Sequence, residues 1–197
     1  MSTSSRRYHH GDLRSTVLRM AGKLLEKQGI EGLKMRELAR RAKVSHNAPY
    51  RHFPEREALL AALAAEGYSM LEQAQREAAE SGGLRAMGEA YVRFALAHPQ
   101  RFRLMFGGQV SLERHPQLRE VATKAFAGLA GALSARVPEA QGAGDSSIAA
   151  WALVHGLAEL LLGGRIAGAA RHGRDDALFV REVLASTRFA VSAQSSA

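Results

Sequence analysis

Residues 45–52 carry side chains that can bond the edges of nucleic-acid bases. The candidate contacts in this stretch are Ser45, His46, Asn47, Ala48, Tyr50, Arg51 and His52. An asparagine can pair with adenine through two hydrogen bonds, and arginine or histidine can donate to guanine or to phosphate. A tyrosine hydroxyl can bond the phosphate backbone. These residue types at this spacing predict recognition of double-stranded DNA in the major groove.

Two short helices must hold these side chains, and the apolar spacing predicts both. A helix from about Lys34 to Arg41 buries Met35, Leu38, Ala39 and Ala42. A turn at 42–44 follows, and Ser45 is a suitable N-cap for a second helix through about His52. The pattern predicts a helix-turn-helix over about residues 34–53.

Groups that can bind phosphate surround this motif. The helix starts near Lys34, Ser45 and Glu55 can offer free backbone N–H groups to phosphate. Ahead of the first helix, Arg6 and Arg7 lie on a basic arm, residues 1–10, that we expect to be flexible and to reach a neighbouring minor groove.

The formal net charge of the 197-residue chain is +8, and its distribution is uneven. Residues 1–56 hold 13 Lys and Arg against 5 Asp and Glu, whereas residues 57–197 hold 14 of each class. The whole excess therefore lies in the first 56 residues. This favours a head that binds a polyanion on an electrically balanced trunk.

Other features exclude whole classes of protein. With no cysteine, the chain has no disulfide framework, thiol nucleophile or cysteine-based metal site. Residues 1–8 lack the apolar run of a signal peptide. The most apolar stretch, 148–162, is interrupted by His155 and Glu159 and is shorter than the ~20 residues of a membrane span. We expect a cytoplasmic protein that does not enter a membrane.

Helical spacing of apolar residues continues along the rest of the chain. A first helix begins after Asp12 as its cap and ends at Gly29, a left-handed C-cap. A long helix from about Glu55 to Glu80 ends at a break over residues 81–83. Further helices follow over about 84–97, 102–106, 118–133, 146–168 and 175–192, with a loop at 142–145. The predicted domains are the arm, a head over 11–71 that includes the start of the long helix, and a C-terminal domain over 83–193.

The last two helices are apolar on more than one face. A helix of this kind needs cover on both sides, and in a short chain a second copy can supply it. The sequence therefore predicts a homodimer. The candidate interface residues are Trp151, Leu153, Leu157, Leu161, Phe179, Val183 and Leu184.

Several runs of the N-terminal part resemble the TetR family of bacterial transcriptional regulators. They are residues 8–14 (YHHGDLR), 35–45 (MRELARRAKVS), 48–54 (APYRHFP) and 57–60 (EALL), with the spacing of that family's DNA-binding domain. In the trunk, His98-Pro99 with Phe102 and the run Trp151, His155, Gly156 resemble a subgroup whose C-terminal domain carries a Trp-His-Gly motif.

The resemblance implies an all-α homodimer with a three-helix DNA-binding head and a helical-bundle domain for ligand binding and dimerisation. A small ligand in the trunk would shift the fourth helix and change the separation of the two heads. By position, Lys34 and Arg36 begin the helix that braces against the DNA backbone. Ser45, His46, Asn47, Ala48 and Arg51 lie where the family reads bases or nearby phosphates, and Tyr50, His52 and Arg56 lie at phosphate contacts.

Three positions depart from the family pattern. Lys43 stands where glycine is usual in the turn, which places a side chain on a left-handed backbone at about 1 kcal/mol. Lys34 replaces a capping Ser or Thr, although Glu37, the other half of a capping box, is present. Pro49 removes one backbone donor early in the recognition helix.

A small-molecule effector needs a mostly apolar pocket with a few polar groups. The trunk offers Met87, Tyr91, Phe94, Phe102, Met105, Phe106, Trp151 and His155 as candidates, of which part would be core and part pocket wall. For His155 the sequence leaves two interpretations open, a core histidine or a ligand contact. The expected effector is largely apolar.

The favoured function is a ligand-responsive, sequence-specific repressor that binds a palindromic operator. Two other functions compete with it. A sequence-indifferent binder of nucleic acid or anionic membrane needs only the charged head. An enzyme needs a nucleophile with its base, a phosphate loop or a metal set, and neither the Gly-Gly pairs nor His155 with Glu159 matches one. His9-His10 has no third ligand at a plausible spacing, so we expect no metal, no cofactor and no catalysis.

Overall fold

The structure is a computed structural model that describes residues 10–134 and 143–187. Its α-helices are α1 (His10–Gln28), α2 (Met35–Arg41), α3 (Arg56–Ala97), α4 (Pro99–Phe106), α5 (Pro116–Ser134), α6 (Ala143–Leu162), α7 (Gly168–Arg171) and α8 (Asp176–Ser186). A short 3-10 helix, Pro49–Arg51, lies between α2 and α3. The described part of the chain contains no strand, which confirms the all-α class. Arg6, Arg7 and the His9 position lie outside the described residues.

Contacts divide the chain into two compact units. The first comprises Met1–Gly67 with Gln100–Arg119, and the second comprises Tyr68–Pro99 with Glu120–Ala197. The sequence assigned residues 100–119 to the C-terminal domain, whereas their contacts group them with the N-terminal part. The proposed domain limits at 11–71 and 83–193 remain a prediction.

The core of the first unit follows the predicted helix faces. Its fully buried side chains include Val17, Leu25, Leu38, Phe53, Leu59, Leu63 and Phe102. Helix α1 already contains Asp12 in its first turn, so the prediction that Asp12 precedes and caps the helix is wrong. The predicted C-cap is confirmed, since Gly29 has a φ of 68° and donates its N–H to Leu25 O at 2.8 Å.

Helix α4 attaches to this unit through a buried arginine. Arg101 Nη1 donates to the carbonyl of Leu63 at 2.9 Å and lies 3.4 Å from the carboxylate of Glu66. A Cβ added to Gly22 would lie 2.7 Å from Arg101 Nη2, and one added to Gly67 would lie 3.0 Å from Arg101 Cγ. The two glycines therefore make the space that this side chain fills between α1 and α3.

Helix α3 has an interruption within the predicted break. Only Gly83 leaves the helical conformation, with φ 66° and ψ −151°, and its φ lies in the left-handed region that glycine tolerates. Ser81 remains helical and its hydroxyl donates to Ala78 O at 3.0 Å. The expected three-residue break is therefore a single residue.

The second unit contains α6, α7, α8, most of α5 and the C-terminal part of α3. Helix α6 begins at Ala143, so the predicted loop at 142–145 is wrong for its described residues. It ends at Leu162 and not near residue 168, because Gly163 and Gly164 follow and Gly164 has a φ of 61°. Asp175 caps α8 by accepting the N–H of Leu178 at 2.8 Å, and extended backbone at Thr187 ends that helix earlier than predicted.

One window of α6 is long and apolar enough to cross a membrane. It spans Asp145–Leu162 and is the one helix of the described residues that meets this test of length and composition. Core helices of water-soluble proteins meet the same test, so the window is weak support for a membrane span.

Candidate functional site

The expected recognition helix is a turn followed by a 3-10 helix. Ala48 N donates to Ser45 O at 2.9 Å, and Phe53 N donates to Pro49 O at 3.0 Å. Because proline has no N–H, the carbonyl of Ser45 cannot receive an α-helical bond from position 49 and bonds position 48 instead. The predicted α-helix from Ser45 to His52 is therefore wrong, and Pro49 is the physical reason.

The turn still presents the predicted DNA-contacting side chains to solvent. Exposed positions are Lys34, Arg36, Ser45, His46, Asn47, Tyr50 and Arg51, while Ala48 and His52 are half-buried. The rings of His46 and Tyr50 meet edge to face, with centroids 6.3 Å apart. Polar groups that can bond base edges thus remain accessible without a regular helix.

Buried residues anchor the turn from below. Phe53 is 2% exposed and Pro49 is fully buried, so the ends of the 3-10 helix are fixed in the core of the first unit. The guanidinium of Arg14 lies 5.3 Å from the centre of the Phe53 ring, a cation–π distance. Sequence reasoning missed Arg14, and only its position early in α1 could have suggested it.

The basic run Arg36, Arg40, Arg41 and Lys43 contains paired and unpaired cations. Glu37 accepts hydrogen bonds from Arg40 at 2.8 Å and from Arg41 at 2.6 Å. These bonds lower the pKa of Glu37 to about 2. Within the described ranges, Arg36 and Lys43 form no ion pair, so they are the cations of this run that remain available to phosphate.

The same contacts engage Glu37, the half of a capping box that the sequence retains. The side chain of Lys34 makes no capping hydrogen bond. The carboxylate of Glu37 faces the two arginines of the following turn. Lys43 has a φ of 54°, which confirms the predicted left-handed backbone at the turn.

Arg56, predicted to contact phosphate, is bonded within the protein. Its Nε donates to Leu33 O at 3.0 Å, and its Nη2 donates to Ile30 O. The side chain therefore joins the start of α3 to the connection between α1 and α2. Nothing in the sequence signals this bracing, since Arg56 lies 23 and 26 residues away from its two partners.

In the second unit, three of the predicted effector residues form one hydrogen-bonded group. Trp151 Nε1 lies 3.2 Å from Tyr91 Oη, which lies 2.9 Å from His155 Nδ1. An indole N–H only donates, so the Tyr91 hydroxyl oxygen accepts from Trp151. The tautomer of the imidazole sets which of Tyr91 and His155 donates in the second bond. Desolvation lowers the pKa of His155, which favours its neutral form, and burial raises the pKa of Tyr91.

The other predicted effector residues belong to both units. Met87 and Phe94 are buried in the second unit. Phe102, Met105 and Phe106 belong to the first unit, where the rings of Phe102 and Phe106 lie 4.8 Å apart. The effector site that these eight residues would form remains a prediction.

A cavity of about 270 Å³ in the second unit has a different lining. Its walls are Gln75, Leu84, Arg85, Gly88, Leu129, Ala150, Leu153, Val154, Leu184, Ala185 and Thr187. None of the eight predicted effector residues lines it. Leu153 and Leu184, predicted at a dimer interface, line the cavity. The sequence missed this set because no single helix carries more than a few of its members.

The remaining predicted dimer residues are partly or fully covered within one chain. Leu157 and Phe179 are each 7% exposed, and Trp151, Leu161 and Val183 are half-buried. The apolar residues that α6 and α8 leave in solvent are Ile148, Leu160 and Leu178, which are 56%, 45% and 42% exposed.

Comparisons with known proteins now decide the family. A model of bacterial regulatory proteins of the tetR family matches residues 17–63, and a model of tetracyclin repressor-like C-terminal domains matches residues 84–185. The chain belongs to the TetR family. It is a DNA-binding regulator with an N-terminal helix-turn-helix domain and a helical C-terminal domain, as the sequence predicted.

Solved structures agree with this assignment over most of the chain. A protein of unknown function from Rhodococcus sp. RHA1 is 34% identical, with a TM-score of 0.76, and 91% of this chain and 95% of that chain are covered. A tetR-family regulatory protein from Rhodococcus RHA1 is 16% identical, with a TM-score of 0.62 over 88% of this chain and 93% of that chain. The multidrug binding protein EbrR, complexed with imidazole, is 21% identical, with a TM-score of 0.60 over 94% of this chain and 95% of that chain. No curated protein matches the chain.

Membership of the TetR family gives the turn at residues 45–52 its context. The matched N-terminal model includes the whole of α2 and the 3-10 helix. The departures at Lys43 and Pro49 lie inside that match. Lys43 adopts the left-handed backbone that glycine tolerates, and Pro49 begins the 3-10 helix.

Proposed function

We propose that this TetR-family regulator is a cytoplasmic repressor that binds a palindromic operator as a homodimer and is released by a small-molecule effector. The observation that carries the proposal is the exposed turn at residues 45–52, anchored by Pro49 and Phe53 and flanked by the free cations Arg36 and Lys43. Its uncharged polar groups can discriminate bases, while the cations add affinity without sequence preference.

Within this proposal the DNA contacts divide by role. Ser45, His46, Asn47, Ala48 and Arg51 read bases or nearby phosphates. Tyr50, His52, Lys34 and Arg36 hold the phosphate backbone, together with Arg6 and Arg7 of the arm. We assign Arg56 to bracing the head, because its guanidinium is already bonded to Leu33 O and Ile30 O.

A second copy of the chain supplies the symmetry that a palindrome requires. Ile148, Leu160 and Leu178 leave apolar surface on the two helices that the sequence marked for pairing. An isologous dimer would cover them and present two heads to successive major grooves, about 34–36 Å apart.

Release follows from linkage. An effector that binds the C-terminal domain better in one head separation than in the other must shift the population toward that separation. Its affinity for the protein must then fall in the presence of operator by the same factor as it weakens operator binding. EbrR is a relative in fold whose structure holds a small molecule, which supports ligand binding by this architecture.

Selection of bound duplexes from a random library tests the proposal. The full chain is incubated with the library at near-physiological salt, and the recovered sequences are aligned. A single short palindrome is the expected result. Equal recovery of all sequences, with the same steep salt dependence on each, would identify a sequence-indifferent binder and refute the proposal.

The role of Asn47 has its own test. The Asn47→Ala variant should lose discrimination at one base pair of each half-site, and Tyr50→Phe should weaken binding to operator and random duplex alike. A uniform loss from the Asn47 change would show that this residue contacts phosphate.

A further inference from the structure

A mostly buried glutamine lines the cavity of the second unit. Gln75 of α3 is 5% exposed, and its side-chain amide forms no hydrogen bond within the described residues. The amide atoms of Gln75 are not among the fully buried polar atoms without a partner, so they reach the open space of the cavity. A ligand in the cavity would accept or donate hydrogen bonds at this amide.

The rest of the lining restricts the body of that ligand. The side chains that surround the cavity are mostly aliphatic, namely Leu84, Leu129, Leu153, Val154 and Leu184. Among the described residues, the lining contains no aromatic ring on which a planar ligand would stack. The volume of about 270 Å³ lies just below the range of about 300–1,000 Å³ that drug-sized ligands occupy. The described lining therefore fits an aliphatic chain of medium length.

The polar groups restrict its head group. Thr187 uses its hydroxyl proton on Val183 O at 3.2 Å, so the side-chain donors that remain among the described lining residues are the Gln75 amide and Arg85. Arg85 is exposed at the cavity and lies 3.7 Å from Glu89, beyond hydrogen-bond distance. Glu89 also lies 3.8 Å from Arg181, so one carboxylate faces two guanidinium groups. This excess of donors and of positive charge favours an anionic oxygen head group.

Another hollow in the same unit is larger but less suited to a ligand. It measures about 380 Å³, and its ionisable lining residues are the exposed Arg93, Asp176 and Arg181 and the half-buried Glu89. Among its described lining residues, no polar side chain is buried as deeply as Gln75 is in the first cavity.

We propose that the cavity lined by Gln75 and the aliphatic side chains is the effector site and that it takes a medium-chain aliphatic monocarboxylate. The inference rests on the proposed function, since it names the ligand class for the effector. The Gln75 amide donates to one carboxylate oxygen, Arg85 neutralises the charge at the mouth, and the hydrocarbon chain fills the space between Leu129, Val154 and Leu184.

Calorimetric titration of the full chain with octanoate, octanol and octylamine tests the ligand class. Octanoate should bind at least tenfold more tightly than either of the others, because only it satisfies the amide and the cation together. Equal binding of octanol or octylamine would overturn the assignment of a carboxylate, and no binding of octanoate would overturn the site.

Variants locate the binding. Gln75→Leu should fold, since it replaces a buried unpartnered amide by an apolar side chain, and should lose octanoate binding at least tenfold. Gln73→Leu, an exposed change two residues away on the same helix, is the matched control and should bind octanoate like the wild type. Octanoate binding that survives Gln75→Leu unchanged would place the ligand elsewhere and refute the proposal.

The outcome is separable from that of the operator experiment. Recovery of a palindrome with no octanoate binding would reject the ligand class and leave the repressor proposal intact. Octanoate binding by a protein that selects no DNA sequence would reject the repressor and leave the site.

Discussion

Replacing Arg56 by alanine separates a bracing role from a DNA-binding role. The guanidinium donates to the carbonyls of Leu33 and Ile30, across the connection between α1 and α2. A hydrogen bond from a charged donor contributes about 1.5–3 kcal/mol when buried. Arg56 is exposed overall and water can replace part of both bonds. We therefore expect Arg56→Ala to lower the free energy of unfolding by about 1–2 kcal/mol.

Two measurements distinguish the roles. Urea unfolding at fixed protein concentration should give a lower midpoint for Arg56→Ala with an unchanged slope. The salt dependence of operator binding should be unaffected, whereas loss of a phosphate contact reduces the slope of log K against log salt by about 0.9 for each contact.

Arg51→Ala is the matched control, because Arg51 is an exposed arginine in the turn at residues 45–52. It should leave the urea midpoint in place and change DNA binding. An Arg56→Ala protein with normal stability and a reduced salt slope would refute the bracing role and restore the phosphate contact that the sequence predicts.

Three further predictions follow from single contacts. Lys43→Gly should raise the free energy of unfolding by about 1 kcal/mol in urea titrations, since Lys43 has a φ of 54°, and no gain would show that the turn relaxes without strain. Gly22→Ala should lower the free energy of unfolding by about 1–3 kcal/mol, because the new methyl group meets Arg101. Gly128 is a helical glycine with open space around it, so Gly128→Ala should raise the free energy of unfolding by up to about 1 kcal/mol. Equal effects of the two changes would contradict the packing at Gly22. Burial lowers the pKa of His155, so the unfolded chain takes up a proton first as the pH falls below about 6.5, and the folded state loses stability there. In urea titrations, the free energy of unfolding should fall less between pH 7 and pH 5 for His155→Asn than for the wild type. An equal fall in both proteins would refute the assignment of a neutral His155.

The sequence predicted the positions of most helices because their determinants are local. Apolar spacing along α1 and the glycine at position 29 act over one or two turns, and both predictions agree with the structure. The presence of Pro49 was noted in the sequence, but the 3-10 helix was not predicted from it. Proline removes the N–H that an α-helix would use at position 49, and the N–H of Ala48 then bonds Ser45 O instead. This competing bond has to be considered before the lost donor can indicate a 3-10 helix.

The functional sites were less predictable because their parts come from distant segments. Arg56 bonds residues 23 and 26 positions away. The cavity takes its walls from α3, α5, α6 and α8, and Gln75 is an ordinary polar residue of a long helix until its burial is known. The aromatic residues chosen for the effector site were sound candidates for burial, and burial is what most of them show.

The non-helical backbone at Gly83 divides α3 into two straight helical segments, here called rods. A continuous helix of 42 residues would be a rod about 63 Å long. The interruption leaves one rod of about 40 Å before Gly83 and one of about 21 Å after it. Gln75 lies on the longer rod, and Leu84 and Gly88 lie on the shorter, so the cavity takes walls from both. A change of about 10° in the angle between the rods would move the far end of the longer one by about 7 Å, which is more than twice the length of a hydrogen bond.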